Sequence, residues 1–264
     1  YAFVCGSDQI WGVTGPYIPS THFLRFAPRS KRIAYAPSFG VSYIPKRFKR
    51  VITKYLNGFD NISIREQEGG KIIQDLTGKQ AFVALDPTLL VDKNFWIQKA
   101  DKNNINKPYI LCYFLNEPSI KAIEFIKEVK KELDIDILYL PYSYFNLKEL
   151  GQQIDVTPFG FVDLVNNASA MFTDSFHGVA FAINLNISFF VFERQYGHAF
   201  NQSSRISSIL NITHLQDRWI DDNKIFDKNL LKIDFSSAND LLAIEREKSK
   251  KFLFGELEAV KEKL

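Results

Sequence analysis

Short apolar runs alternate with amphipathic stretches throughout this chain of 264 residues, the pattern of a parallel sheet with crossover helices. In the first part, 2–6, 32–36, 61–64 and 81–85 read as strands, with helices over 45–56 and 66–76. Pro45 suits a first helical turn, and Thr77-Gly78 a helix stop. A polar stretch at 101–108 interrupts the alternation, which resumes with a strand over 109–115 and a helix over 119–133. Strands at 135–140, 154–157, 169–173 and 187–192 follow, with helices near 161–167, from about His177, and over 203–210. From Ser237 the tail is one long charged helix, with Asp240 placed much as in a capping box.

Placing the boundary in the polar stretch gives an N-terminal α/β domain over 1–103, a C-terminal α/β domain over 104–236 and a closing helix over 237–264. The fold class expected is α/β and GT-B-like: two Rossmann-like domains facing a cleft, with a long C-terminal helix. Tyr1 is not a start methionine, and a buried strand is entered at once at 2–6. The chain therefore reads as trimmed at its front, with an N-terminal segment missing.

Charge excludes one class of partner. The 33 basic and 30 acidic residues are interspersed and leave a net charge of +3, with no basic stripe of the kind nucleic-acid binding needs. Cys5 and Cys112 stand far apart with no CxxC pair, which excludes a disulfide framework or zinc site and fits buried thiols in a reducing cytosol. No apolar run approaches the ~18–20 residues of a membrane span, and no signal peptide is visible. A cytoplasmic protein is expected, with peripheral membrane contact left open. His22, His198 and His214 form no metal-ligand spacing, so no metal site is expected.

Three strand ends carry residues capable of chemistry. The first is Thr173-Asp174-Ser175-Phe176-His177-Gly178, where an apolar strand gives way to a helix of small residues. Ligands of open α/β sheets bind beyond the carboxyl ends of strands, and the free N–H groups of a helix start attract anions. There His177 either exchanges a proton near neutral pH or packs the strand–helix turn. The second is Gly6-Ser7-Asp8-Gln9-Ile10-Trp11. Ser7, Asp8 and Gln9 offer hydrogen bonds to hydroxyls, and Trp11 either stacks on a sugar face or fills core. The third is Ser63-Ile64-Arg65-Glu66. Its Arg65 either projects a planar fork suited to carboxylate or phosphate or pairs with Glu66 on the surface. Leu85-Asp86-Pro87-Thr88 reads as a turn. Arg205, in Asn201-Gln202-Ser203-Ser204-Arg205-Ile206, starts a helix one strand beyond His177 and could reach the same cleft.

Taken in order with Tyr35-Ala36-Pro37-Ser38-Phe39-Gly40, these motifs resemble the polysaccharide pyruvyl transferase family, over nearly the whole chain from Gly6 to Arg218. The resemblance implies a GT-B-like fold and transfer of a pyruvyl group from phosphoenolpyruvate onto sugar hydroxyls as a ketal, with no metal or organic cofactor. It implies His177 as the catalytic residue and Arg65 as a donor-binding residue, with Ser175, Phe176, Gly178 and Arg205 beside the donor. Ser7, Asp8, Gln9 and Trp11 fall to an acceptor that is a sugar or lipid-linked glycan. Better-studied relatives carry an Arg two residues before the His, where this chain has Ser175. Neutralising the donor then falls to Arg65, Arg205 or the segment ahead of the chain. Two other classes stay open: a GT-B glycosyltransferase with a nucleotide-sugar donor, favoured by a ribose-gripping glutamate pair that is not evident here, and a non-catalytic carbohydrate-binding protein.

Overall fold

The computed structural model describes residues 1–13, 15–141, 149–194 and 203–262. These form two compact units. The first unit holds 1–90, 203–209 and 242–262. In it, β1 (Phe3–Gly6) runs parallel to β2 (Arg32–Tyr35). After α1 (Lys46–Leu56), β3 (Ser63–Ile64) is tied to the β2 strand by a bridge between Ala34 and Ile62. Helix α2 (Gln67–Thr77) then leads to β4 (Phe82–Val83), parallel to β3. Pro45 sits at the N-cap position of α1, whose Phe48, Ile52 and Leu56 recur every four residues and are buried, the stripe a helix lays on a core. The α2 helix stops at Gly78, whose φ of +72° is the left-handed value glycine adopts without strain. Trp11 lies at the centre of this core, stacked on Phe23 at 4.9 Å with Phe39 and Phe59 against it.

The second unit holds 91–194 and 210–241 of the described residues. Its elements are α3 (Lys93–Lys99), β5 (Tyr109–Tyr113), α4 (Ile120–Leu133), β6 (Asp136–Tyr139), β7 (Gln152–Gln153), α5 (Pro158–Asn167), β8 (Ala170–Thr173), α6 (Phe176–Leu185) and β9 (Phe189–Phe192). Then come α7 (Ser204–Thr213), which begins in the first unit, β10 (Trp219–Ile220) and α8 (Ser236–Lys261), which ends in it. The sheet is parallel in the order β10-β9-β8-β5-β6-β7. From β5 the chain winds outward through β6 and β7, and from β8 outward on the other side. The order therefore reverses between β5 and β8, the switch point of a doubly wound sheet. Phe125, Phe172, Phe190 and Phe192 fill one side of the sheet with ring centroids 5.0 to 6.3 Å apart. Here the chain's many phenylalanines serve as core.

The α/β class, the two parallel-sheet units and the long C-terminal helix agree with expectation. The division differs in detail. It falls at 90/91, ahead of the polar stretch, because α3 belongs to the second unit: Trp96 packs edge-on against Phe181 at 5.0 Å, and Asn184 Nδ2 donates to Val91 O. The polar stretch is itself pinned down. Asn103 N donates to Asp163 Oδ2 at 2.9 Å, Asn103 Nδ2 to Gly160 O, and Thr157 Oγ1 to Asp101 Oδ2. From Leu242 the closing helix returns to the first unit. There Ser249 Oγ accepts from Leu85 N, Arg246 Nε donates to Leu89 O, and Phe252 stacks on Phe82.

The strand expected at 154–157 falls two residues earlier, as β7, with Ile154 N donating to Tyr139 O at the end of its ladder. Thr157 instead caps α5, its Oγ1 accepting from Gly160 N with Pro158 in the first turn, the arrangement a Thr-Pro pair favours. Both cysteines are buried. Burial pushes the Cys5 thiol up to about 12, against a hydrogen-bond contribution from Trp11, and raises Cys112 as well. No described helix is long and apolar enough to cross a membrane.

Candidate active site

The β8–α6 turn stands at the switch point of the second unit, and its residues explain why the turn has this shape. Thr173 Oγ1 donates to Tyr113 O at 2.7 Å, tying the ends of β8 and β5 together, and accepts from Ser175 N at 2.9 Å. Ser175 is the N-cap of α6, its Oγ accepting from Gly178 N at 3.4 Å. Gly178 is required by close approach, since a Cβ there would lie 2.5 Å from Thr173 Oγ1. Phe176 is buried, with its ring 5.5 Å from that of His177. Of the donor-side residues expected here, Ser175, Phe176 and Gly178 thus spend their side-chain positions on capping and packing. His177 lines a cavity.

That cavity, about 610 Å³, is walled by Trp96, Tyr113, Phe159, Phe161 and Phe181, with His177 in its lining. Beneath the turn, Asp174 is 3% exposed and accepts from Leu115 N at 2.7 Å, Asn116 N at 3.2 Å and Arg194 Nε at 3.1 Å. Arg194 Nη2 also donates to the Asp174 carbonyl at 2.9 Å. Burial raises the Asp174 carboxyl, with Arg194 and the two backbone N–H groups opposing. Asp174 therefore fixes the loop after β5 and the end of β9 around the turn. Arg194 was not singled out from the sequence; an Arg two residues past the apolar run 187–192 is the signal that could have found it.

In the first unit, four motifs converge at the carboxyl ends of β1, β2, β3 and β4. Asp8 O accepts from Ser38 N, Pro37 O accepts from Arg65 N, and Glu66 Oε1 accepts from Ser38 Oγ and Phe39 N, each at 2.8–3.0 Å. Asp86 supplies the hub. Its Oδ1 accepts from Thr88 N and Thr88 Oγ1, which makes the turn expected from sequence. Its Oδ2 accepts from Ser7 Oγ at 2.6 Å and from Arg65 Nη1 at 2.7 Å. Arg65 Nη2 donates to Asp8 Oδ1 at 3.2 Å, and Arg205 Nη1 lies 3.7 Å from the same oxygen.

This geometry corrects two expectations. The Arg65 side chain is 1% exposed and shared between two carboxylates, so it neither projects a fork at the sheet edge nor forms a surface pair with Glu66, which is itself fully buried. The group presented outward is Asp8, 65% exposed, held from behind by two guanidinium groups and set in a left-handed conformation at φ 57°. Strained backbone of this kind persists where surrounding contacts enforce it. Trp11 fills core at 1% exposure, its Nε1 donating to His22 O at 3.0 Å, and so offers no face to a sugar. Ser7 and Gln9 are half-buried: Ser7 is engaged with Asp86, and the Gln9 side chain lies over Gly40.

Among the described residues no three His, Cys, Asp or Glu side chains gather as a metal site. His198, Asn201 and Gln202 lie outside the described residues.

The family model of polysaccharide pyruvyl transferases matches residues 1–196. The chain belongs to that family. Both clusters of strand-end residues, from Ser7 to Asp86 and around His177, fall within the match, and the family is one of transferases. No curated protein matches this member. Among solved structures it is similar to the wall teichoic acid polymerase TagF at 12% identity, covering 88% of this chain and 68% of that one with a TM-score of 0.45. A UDP-N-acetylglucosamine 2-epimerase from Rickettsia bellii is 13% identical, with 91% and 72% covered and a TM-score of 0.43. The UDP-GlcNAc 2-epimerase of Methanocaldococcus jannaschii, in complex with UDP-GlcNAc and UDP, is 16% identical with a TM-score of 0.36. The match covers 71% of this pyruvyl transferase family member and 61% of the epimerase's length.

Proposed function

We propose that the protein transfers a pyruvyl group from phosphoenolpyruvate to two hydroxyls of a sugar in a glycan or lipid-linked glycan, releasing phosphate and leaving a cyclic ketal. Family membership supports the reaction class. The observation that carries the assignment within this chain is the position of His177 in the cavity lining at the β5/β8 switch point.

The chemistry asks for proton transfer more than anything else. Protonation of the enol methylene carbon makes C2 electrophilic, and one sugar hydroxyl adds there as it gives up its proton. Phosphate then leaves with its bonding electrons, and the second hydroxyl closes the ketal, its proton passing to the released phosphate. His177 is the proton donor to the methylene carbon and takes up the proton of the attacking hydroxyl. Asp8 is assigned to the acceptor hydroxyls, with Arg65 and Arg205 as positioning residues acting through it.

Turnover with phosphoenolpyruvate, read as phosphate release, tests the reading. His177→Ala is expected to cut turnover by roughly 10²–10⁴-fold, the usual share of general acid–base catalysis, while donor affinity by calorimetry changes far less. A folded His177→Ala protein with normal turnover removes the catalytic assignment. Tight binding of a nucleotide-sugar with none of phosphoenolpyruvate moves the protein to the glycosyltransferase reading.

A further inference from the structure

Helix α1 carries a charge distribution unlike that of the rest of the chain. Lys46, Arg47, Lys49, Arg50 and Lys54 are all exposed, and the helix contains no acidic residue. At about 100° per residue, these five fall within an arc of roughly 160°, opposite the buried Phe48, Ile52 and Leu56. Among the described residues none of the five takes part in an ion pair. The other long helices are neutralised along their length: α4 interleaves its lysines with Glu124, Glu128 and Glu132, and α8 forms Lys248–Glu245 and Lys250–Glu247 pairs. With the whole chain at +3, the α1 face concentrates positive charge that the composition conceals.

The surroundings extend the face. The Arg25 guanidinium lies 5.6 Å from the centroid of the Tyr55 ring of α1. Tyr43, just ahead of the helix, is 57% exposed, and Phe26, next to Arg25, is 64% exposed. Aromatic rings beside lysines and arginines suit the headgroup zone of a bilayer, where a ring buries its body and a cation keeps its head in water.

We propose that this face docks the protein on an anionic membrane surface. Five cations on one helix surface meet a flat, diffuse charge without needing a cleft. Juxtaposed lysines and arginines each add to such binding within a Debye length of the lipid. The inference rests on α1 and its neighbours and is independent of the pyruvyl-transfer reading.

Cosedimentation with vesicles tests it. The protein is expected to partition onto phosphatidylcholine vesicles containing about 30% phosphatidylglycerol at about 0.1 M salt, and not onto pure phosphatidylcholine. Binding should fall steeply at about 0.5 M salt. Replacing Lys46, Arg47, Lys49, Arg50 and Lys54 together by Gln should lower partitioning at least about 100-fold, on the basis of roughly fivefold per cation. A Lys127→Gln/Lys131→Gln control on α4 should bind as the parent does. The five positions are exposed, so circular dichroism of the variant should match the parent. The lipid and salt comparisons on the unaltered protein stand even if the variant misfolds. The proposal is overturned by failure to bind anionic vesicles, by equal binding to neutral ones, or by a folded five-site variant that binds undiminished. It is also overturned by tighter binding to single-stranded DNA or an acidic polysaccharide than to the vesicles at the same salt.

Discussion

Arg65 and Asp86 are both nearly inaccessible, at 1% and 2% side-chain exposure, and joined at 2.7 Å. Removing one partner leaves the other charge buried and uncompensated. Arg65→Ala should therefore cost about 3–5 kcal/mol in a denaturation experiment, and Arg65→Lys should recover part of it, since an ammonium cannot span both carboxylates as the planar fork does. Asp8→Asn is the contrasting case. The residue is mostly exposed, and Asn tolerates the left-handed backbone, so stability should change by less than about 1 kcal/mol while turnover falls. Large losses of stability with Asp8→Asn would make Asp8 a structural member of the network. Next to Arg65, Glu66 gives a pH-dependent signature. Burial raises its carboxyl, against Arg65, Ser38, Arg205 and Gly40, and Oε2 has no hydrogen-bond partner among the described residues. Between the unfolded and folded values the folded chain holds the extra proton, so this contribution to stability is full below about pH 4.3 and is lost as pH rises through the folded value. Glu66→Gln should flatten that decline in urea titrations over the acid-to-neutral range. An unchanged slope would show that Glu66 is not its source.

At the scale of elements, the β8–α6 turn carries most of what positions His177. Gly178→Ala places a methyl against Thr173 Oγ1, which is held by Tyr113 O and Ser175 N and so has little room to give. The expected cost is about 1–3 kcal/mol, with turnover reduced further because the turn must shift. Thermal melts and phosphate release on the same preparation separate the two effects. Normal turnover would show that the turn tolerates displacement. This element was legible in sequence because an apolar strand, polar residues and a small-residue helix follow one another directly, and the ends of α1 and α2 were legible through Pro45 and Gly78 for the same local reasons. Short elements were not: α3 has seven residues and β10 two, too few for a period to register. The strand expected at 154–157 ends earlier, because Thr157 and Pro158 carry a stronger local signal for a helix start. Site roles failed where burial decides them. Trp11 and Arg65 have the right chemistry for sugar and anion, and only packing shows that one is core and the other is spent on two carboxylates.

Across the whole molecule, the closing helix links the fold to the charged cluster. The part of α8 from Leu242 onward belongs to the first unit, and three of its residues contact one stretch, at Phe82, Leu85 and Leu89. That stretch carries Asp86, the residue on which Arg65 and Ser7 both converge. A residue more than a hundred positions away in sequence, the buried Ser249, thus supports the strand end that orients Asp8. Ser249→Ala removes only the hydroxyl and leaves the Leu85 N–H without its acceptor, at about 1–3 kcal/mol for an unsatisfied buried donor. The loss should appear in hydrogen exchange as faster exchange over 82–90, and in turnover as a reduction that tracks it. Amides of β5, β8 and β9, whose core is built from Phe125, Phe172 and Phe190, should keep their protection. Faster exchange throughout both units would mean that the chain unfolds as one cooperative block, and the closing helix would then support global stability rather than this strand end.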